Sequence, residues 1–160
     1  MSLIVASNVF GAASPSTNLK LYSEKVTIPV TPFADGDNSI AIGSGAHTSP
    51  DATGSIAFGG QSLARHPGAI VFANGRFGST GDAQSGKYIL RSHTANDMWS
   101  ELKLDGTGGT QRLLLADNST WTFRIIFTAH QQDAEDGRAG FIIDGMVYRH
   151  SGPTTIAFQG

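Results

Sequence analysis

Cysteine is absent from this chain of 160 residues, so no disulfide framework and no thiolate chemistry can be built from it. Charge is scarce: 15% of residues are Asp, Glu, Lys or Arg, and the net charge is −2. Basic residues are nowhere clustered, which excludes the electrostatic footprint of a nucleic-acid or anionic-lipid binder. No apolar run approaches the ~18 residues that would insert into a bilayer. Helical periodicity is missing as well. At the N-terminus the first positive side chain is Lys20, so Met1–Ala6 does not have the form of a secretory signal.

What remains is glycine, with 20 residues, together with many small side chains in short alternating runs. Ser39-Ile40-Ala41-Ile42-Gly43 returns as Ser55-Ile56-Ala57-Phe58-Gly59 and, more loosely, as Ala69-Ile70-Val71-Phe72-Ala73. Bulky and small residues alternate with the two-residue period of a strand. Five residues cannot bury such a face alone, whereas stacked coils can. The spacers hold weaker strand-like pieces near Ala46 and Ser62–Ala64, with Pro- or Gly-marked corners, which suits a narrow β-roll of about three coils.

The pattern predicts three regions. Residues 1–36 are a connector containing one strand candidate, Lys25–Ile28; residues 37–80 are the roll; residues 81–160 are an antiparallel β module. The Gly/Ser-rich stretch Asn74–Gly86 is the expected hinge. Tyr88–Arg91, Glu101–Leu104 and Arg112–Leu115 are short strand candidates. In the clearest strand, Trp121, Phe123, Ile125, Phe127 and Ala129 share one face. Asp144-Gly145 has the composition of a hairpin turn, and Thr154–Phe158 is a possible last strand. The expected fold is all-β: a short roll followed by a sandwich-like antiparallel module. Ile40, Ile42, Ile56, Phe58, Ile70 and Phe72 are assigned to the roll core and to contacts between chains.

Catalytic signals are weak. Gly60-Gln61-Ser62-Leu63-Ala64 approximates a nucleophile elbow but lacks the strand-to-helix context. The five histidines, His47, His66, His93, His130 and His150, are too scattered to propose a metal site. The loop carboxylates Asp133, Glu135 and Asp136, like Asp35 and Asp37, lack the remaining ligands of a calcium loop. No catalytic residue, metal or cofactor is expected. For glycan recognition the candidates are Trp99 with His93 and Asn96, in a polar segment between strands; a core position for Trp99 is the competing expectation.

Two family resemblances are specific to quoted residues. Ser39–Gly43 and Ser55–Gly59 resemble the left-handed β-roll heads of trimeric autotransporter adhesins, which implies a homotrimer. Gly81–Gln84, Tyr88–Arg91, Leu104–Gly106 and Asp117–Phe123 resemble a module of bacteriophage tail fibres and tailspikes. That second resemblance covers about residues 81–158 and implies a noncatalytic tail fibre protein. It would be made in the host cytoplasm, sit in the virion among other tail or baseplate proteins, and attach to a bacterial surface polysaccharide. A depolymerising tailspike, a purely structural fibre segment and a bacterial trimeric adhesin head are the alternatives. The adhesin reading calls for a signal peptide and a membrane anchor, which weighs toward the tail fibre at this stage.

Overall fold

The computed structural model describes residues 19–21, 30–94, 98–131, 137–151 and 156–159. The fold is all-β, and the described residues contain no helix. The strands are β1 (Leu19–Leu21), β2 (Phe33–Ala34), β3 (Ile40–Ile42), β4 (His47–Thr48), β5 (Ile56–Gly60), β6 (Leu63–Ala64), β7 (Ile70–Asn74), β8 (Gln84–Lys87), β9 (Ser119–His130), β10 (Arg138–Arg149) and β11 (Ile156–Gln159). The chain divides into two compact units, 1–113 and 114–160.

The first unit is a β-solenoid. Each of its three coils contributes one strand to the sheet β1-β3-β5-β7-β8 and one to the sheet β2-β4-β6. Pairing is parallel from coil to coil and keeps the repeats in register, Ile40↔Ile56↔Ile70 and Ile42↔Phe58↔Phe72. Corners stack with the strands. Asn38, Gly54 and Gly68 occupy the left-handed region with φ of 54°, 66° and 65°, each one residue before a repeat begins. Gly54 N–H donates to Asp37 O at 2.8 Å, and Gly68 N–H to Thr53 O at 2.9 Å. Gly59 is required twice over: its φ is +91°, and a Cβ there would collide with the Ala73 carbonyl of the next coil.

The interior is the small face of the repeat, not the large one. Ala41, Ala57, Ala69 and Val71 are buried with Ala34, Ala46, Ala52 and Ala64, and Val71 is the largest of the fully buried side chains. Ile40, Ile42, Ile56, Phe58, Ile70 and Phe72 therefore do not form the interior of the roll, which corrects that part of their assignment. Two-residue alternation separates the faces but does not say which is inside. With only two short strands per coil, the opposing walls are too close for anything bulkier than Val.

Buried hydroxyls supplement this thin interior. Ser39 donates to Gly36 O at 2.5 Å and lies 2.7 Å from the Thr48 hydroxyl, which accepts from Gly36 N–H at 3.3 Å. One coil later the equivalent Ser55 hydroxyl is buried with no partner among the described residues. Ala64 stands where Thr48 stood, since the two are in register across β4 and β6.

Two boundary expectations change. The solenoid begins before residue 37: β1 pairs with β3, and β2 opens the second sheet. The Gly/Ser-rich stretch 74–86 is not a hinge, because β8 folds back antiparallel on β7 and closes the end of the sheet. Asp82 fastens this turn, accepting from Phe77 N–H at 2.8 Å, Gly78 N–H at 2.6 Å and Ser79 N–H at 2.7 Å. Gln84 bonds both Leu63 N–H and Leu63 O across the coil, at 2.8 and 3.0 Å. Specific side-chain acceptors have turned a flexible composition into a cap. The strand candidate Lys25–Ile28 lies outside the described residues.

The Asp82 hydrogen bonds from Ser79 and Gly78 hold its carboxyl below its ordinary value of 3.8. A depressed folded-state value stabilises the cap above the ordinary range, and the contribution is lost as pH falls through the lowered value. We expect Asp82→Ala to accelerate amide hydrogen exchange at Phe77, Gly78 and Ser79 at least tenfold at neutral pH. Measured as protection factors, which remove the intrinsic pH dependence of exchange, acidification of the wild-type chain should reproduce that loosening, and the variant's protection at those amides should not fall further with acid.

Between the cap and the second unit, the expected strands reduce to one antiparallel bridge, Arg91↔Lys103. Asp105 organises the turn that follows, accepting from Thr110 N–H at 2.8 Å and Gln111 N–H at 3.1 Å. Residues 112–115 run without regular pairing.

The second unit is one antiparallel sheet in the order β11-β10-β9. β9 and β10 pair over their full twelve residues, from Ser119↔Arg149 to His130↔Arg138. Asp144-Gly145 is not a turn. It lies mid-strand opposite Arg124 and Phe123, and the chain reverses near Gln131 and Gly137 instead, where Gln131 N–H donates to Gly137 O at 2.6 Å. Tertiary pairing overrides the turn composition: Arg124 grips Asp144 through two bonds of 2.7 and 2.9 Å, and the Phe123 ring fills the space where Gly145 has no side chain. The sandwich expectation resolves to this one layer among the described residues.

Candidate functional site

Two surfaces stand out, a stripe on the solenoid and a loop after its cap. The stripe is the outward face of β3, β5 and β7. Because those strands are in register, their bulky residues stack into two columns, Ile40/Ile56/Ile70 and Ile42/Phe58/Phe72. Phe58 and Phe72 stack at 5.7 Å with a 28° interplanar angle. Ile70, Phe72 and Phe58 remain 50%, 49% and 48% exposed, while Ile40, Ile42 and Ile56 are half-buried. The neighbouring columns share the load: Phe58, Ile70 and Phe72 have lost about half their contact with water, and Ile40, Ile42 and Ile56 more than half. A continuous, charge-free patch of this kind on a β scaffold marks an interaction surface.

The loop holds the predicted recognition residues. Ser92 and Ser100 hydroxyls pinch its base at 2.6 Å, and Thr94 Oγ1 donates to Met98 O at 3.2 Å. Thr107 Oγ1 accepts from His93 N–H at 2.5 Å. Trp99 is 88% exposed and Met98 62% exposed, so the core position weighed for Trp99 is excluded, and His93 is exposed beside them. Asn96 lies outside the described residues. Arg112 clamps Glu101 with bonds of 2.6 and 3.0 Å directly after the loop. That pairing lowers the Glu101 carboxyl and raises the Arg112 guanidinium.

Sequence reasoning passed over two features. Phe77 is 91% exposed at the tip of the cap; its signal was the one aromatic residue in a small and polar stretch, Asn74–Gly86. A shallow groove of about 200 Å³ also lies between the first coils and the cap, lined by Val30, Phe33, His47, Gln61, Arg76 and Thr80 among others. No local pattern could have found it, because its walls come from successive coils. It falls below the ~300–1,000 Å³ of small-molecule pockets.

Ser62, the near-miss nucleophile, is fully buried and donates to Gly59 O at 3.4 Å. Among the described residues no group of three His, Asp or Glu side chains converges in a way that could hold a metal ion. His47 instead contacts Asp35 at 3.2 Å along the coil.

Residues 34–62 match two copies of the YadA head domain repeat, the repeat of the trimeric autotransporter adhesin head. The matched span runs from β2 through the turn after β5, which is the part of the solenoid carrying the two best-formed repeats. No match was found among curated proteins or among solved structures.

Proposed function

We propose that the chain is a noncatalytic attachment module that works as a homotrimer, held together by the apolar stripe of its β-roll and presenting the Trp99 loop to a cell-surface glycan. The observation that carries this reading is the in-register double column of Ile and Phe on the outside of a coil whose repeats match an adhesin head. Burying the exposed half of Phe58, Ile70 and Phe72 contributes roughly 1 kcal/mol per residue, by the ~1.5–3 kcal/mol of full burial, and Ile40, Ile42 and Ile56 contribute less because less of each is exposed. Three chains each supply six such residues, enough to offset the ordering costs of association.

The head repeats support a bacterial trimeric adhesin. A tail-fibre setting in a virion rests on the resemblance over residues 81–158 and draws no support from the family matches. The proposal therefore concerns attachment, and the setting is left to the cell assay. An exposed Trp presents a flat apolar face suited to the apolar face of a sugar ring, and avidity from three copies compensates for weak single contacts.

Light scattering should give three times the chain mass, and a monomer at micromolar concentration would sink the reading. Labelled protein should decorate cells bearing the receptor without degrading their surface polysaccharide. Trp99→Ala should weaken decoration at least tenfold with the mass unchanged. Equal decoration by that variant would remove the loop from the recognition surface. Competition with phage adsorption identifies a tail fibre, and adhesion without such competition identifies an adhesin head.

A further inference from the structure

The groove between the first coils and the cap has a lining that the roll itself does not require. Val30 and Phe33 make part of it apolar, while Gln61, Arg76 and Thr80 bring hydrogen-bond donors to the same space. Gln61 is the unusual member. Besides glycine, the described residues with positive φ are Asn38, Asn118 and Gln61, and asparagine tolerates that region far better than glutamine does. Gln61 sits at φ 63°, whereas the position one coil earlier is Gly45 at φ 68°, as the register of His47 with Leu63 fixes. Glycine meets the backbone requirement without strain, so the glutamine side chain is held there at a cost. Its Oε1 accepts from Thr80 Oγ1 at 3.0 Å, and its Nε2 lies over Gly45 with no acceptor among the described residues.

Arg76 supplies the charge. Its exposed guanidinium forms no ion pair among the described residues. The carboxylate of its own turn, Asp82, is taken up by the amides of Phe77, Gly78 and Ser79, and His47 is already met by Asp35 at 3.2 Å. Backbone bonds on both sides fix Arg76: Gly75 N–H donates to Gly60 O at 3.0 Å, and Phe77 N–H to Asp82 Oδ1 at 2.8 Å. A guanidinium without a counterion meets a carboxylate with two parallel N–H bonds.

The groove also stays accessible in an assembly. It lies outside the β2-β4-β6 wall, where Phe33 and His47 face outward and Ala34 and Thr48 are buried between the sheets. The Ile/Phe stripe is the outer side of the other wall.

We propose that this groove binds the carboxylate-bearing ring of an acidic sugar, of the uronic acid class. Arg76 holds the carboxylate, Gln61 Nε2 donates to a ring hydroxyl, and the half-exposed Phe33 ring covers the apolar face of the sugar. At about 200 Å³ the groove takes one ring and not an oligomer, and a compact depression suits a ring better than an extended acidic peptide. The choice of a sugar rests on the attachment reading above, but the site is separate from the Trp99 loop.

The test is a titration of the isotope-labelled full chain, following the backbone amides of His47, Gln61 and residue 76. D-glucuronate is the probe, with D-glucose, acetate and tri-glutamate as the neutral, bare-anion and peptide comparisons. Glucuronate should give saturable shifts and bind at least tenfold more tightly than the other three. Arg76→Gln should weaken it at least tenfold. Gln61→Gly should weaken it severalfold while unfolding at the same or a higher temperature, because the strained backbone is relieved. Trp99→Ala should leave it unchanged. Glucuronate binding that survives Arg76→Gln, or acetate or tri-glutamate binding as tight as glucuronate, overturns the proposal. Absence of any glucuronate shift in the groove also overturns it, and leaves cell decoration through the Trp99 loop standing.

Discussion

Phe58→Asp should convert the assembly to monomers without unfolding the coil. Phe58 is the middle member of the Ile42/Phe58/Phe72 column, stacked on Phe72 and half in water. Its side chain contributes nothing to the coil interior, which Ala41, Ala57 and Val71 fill from the other face of the same strands. An aspartate in a single chain would be well hydrated there. In the proposed trimer it would place three carboxylates in an apolar contact, each costing several kcal/mol to desolvate without a partner. The expected result is a threefold fall in mass by light scattering with the β-type circular dichroism largely retained. Monomers that are also unfolded would mean that the coil has no stability of its own, and a persistent trimer would place the interface elsewhere.

The reverse substitution pattern should destroy the coil itself. Ala57 is fully buried and lies in register between Ala41 and Val71. Its walls belong to coils fixed by backbone bonds such as Ile40 N–H to Ser55 O at 2.9 Å and Ile56 N–H to Ala69 O at 2.8 Å. Ala57→Leu adds three carbons where the interior admits nothing larger than Val. Overpacking of this kind costs about 1–3 kcal/mol even where a core can yield. Here the stacked corners prevent the strands from separating, so we expect at least the upper end of that range. With three coils and a thin interior, such a loss should abolish cooperative unfolding and raise dye binding to exposed apolar surface. A variant that melts like the wild type would show that the small face is not the interior. Together, Phe58→Asp and Ala57→Leu separate the two faces of one strand, the first removing association and the second removing the fold.

The repeat itself was legible in the sequence because each strand carries its own two-residue period, and because Asn38, Gly54 and Gly68 punctuate every coil at the same place. The adhesin-type head repeat was recognisable for the same reason, since the motif is local and recurs. The Trp99 loop was found by composition, and its exposure is a structural fact. In contrast, the Asn74–Gly86 segment has the composition of a hinge, and only the distant partners Leu63 and Gln61, with Asp82 inside the turn, make it a cap. Asp144-Gly145 reads as a turn until Arg124 and Phe123 are placed opposite it.

The sequence alone therefore determined the repeat strands β3, β5 and β7, the long strand β9, the stacking repeat, the all-β class and the existence of an alternating apolar face in each unit. Only the tertiary structure decided which face of the repeat points inward. Alternation is symmetric between the two sides of a strand, so the choice depends on the separation of the opposing sheets. With two short strands per coil that gap fits alanine, and the isoleucine and phenylalanine columns are left on the outside, where another chain can cover them.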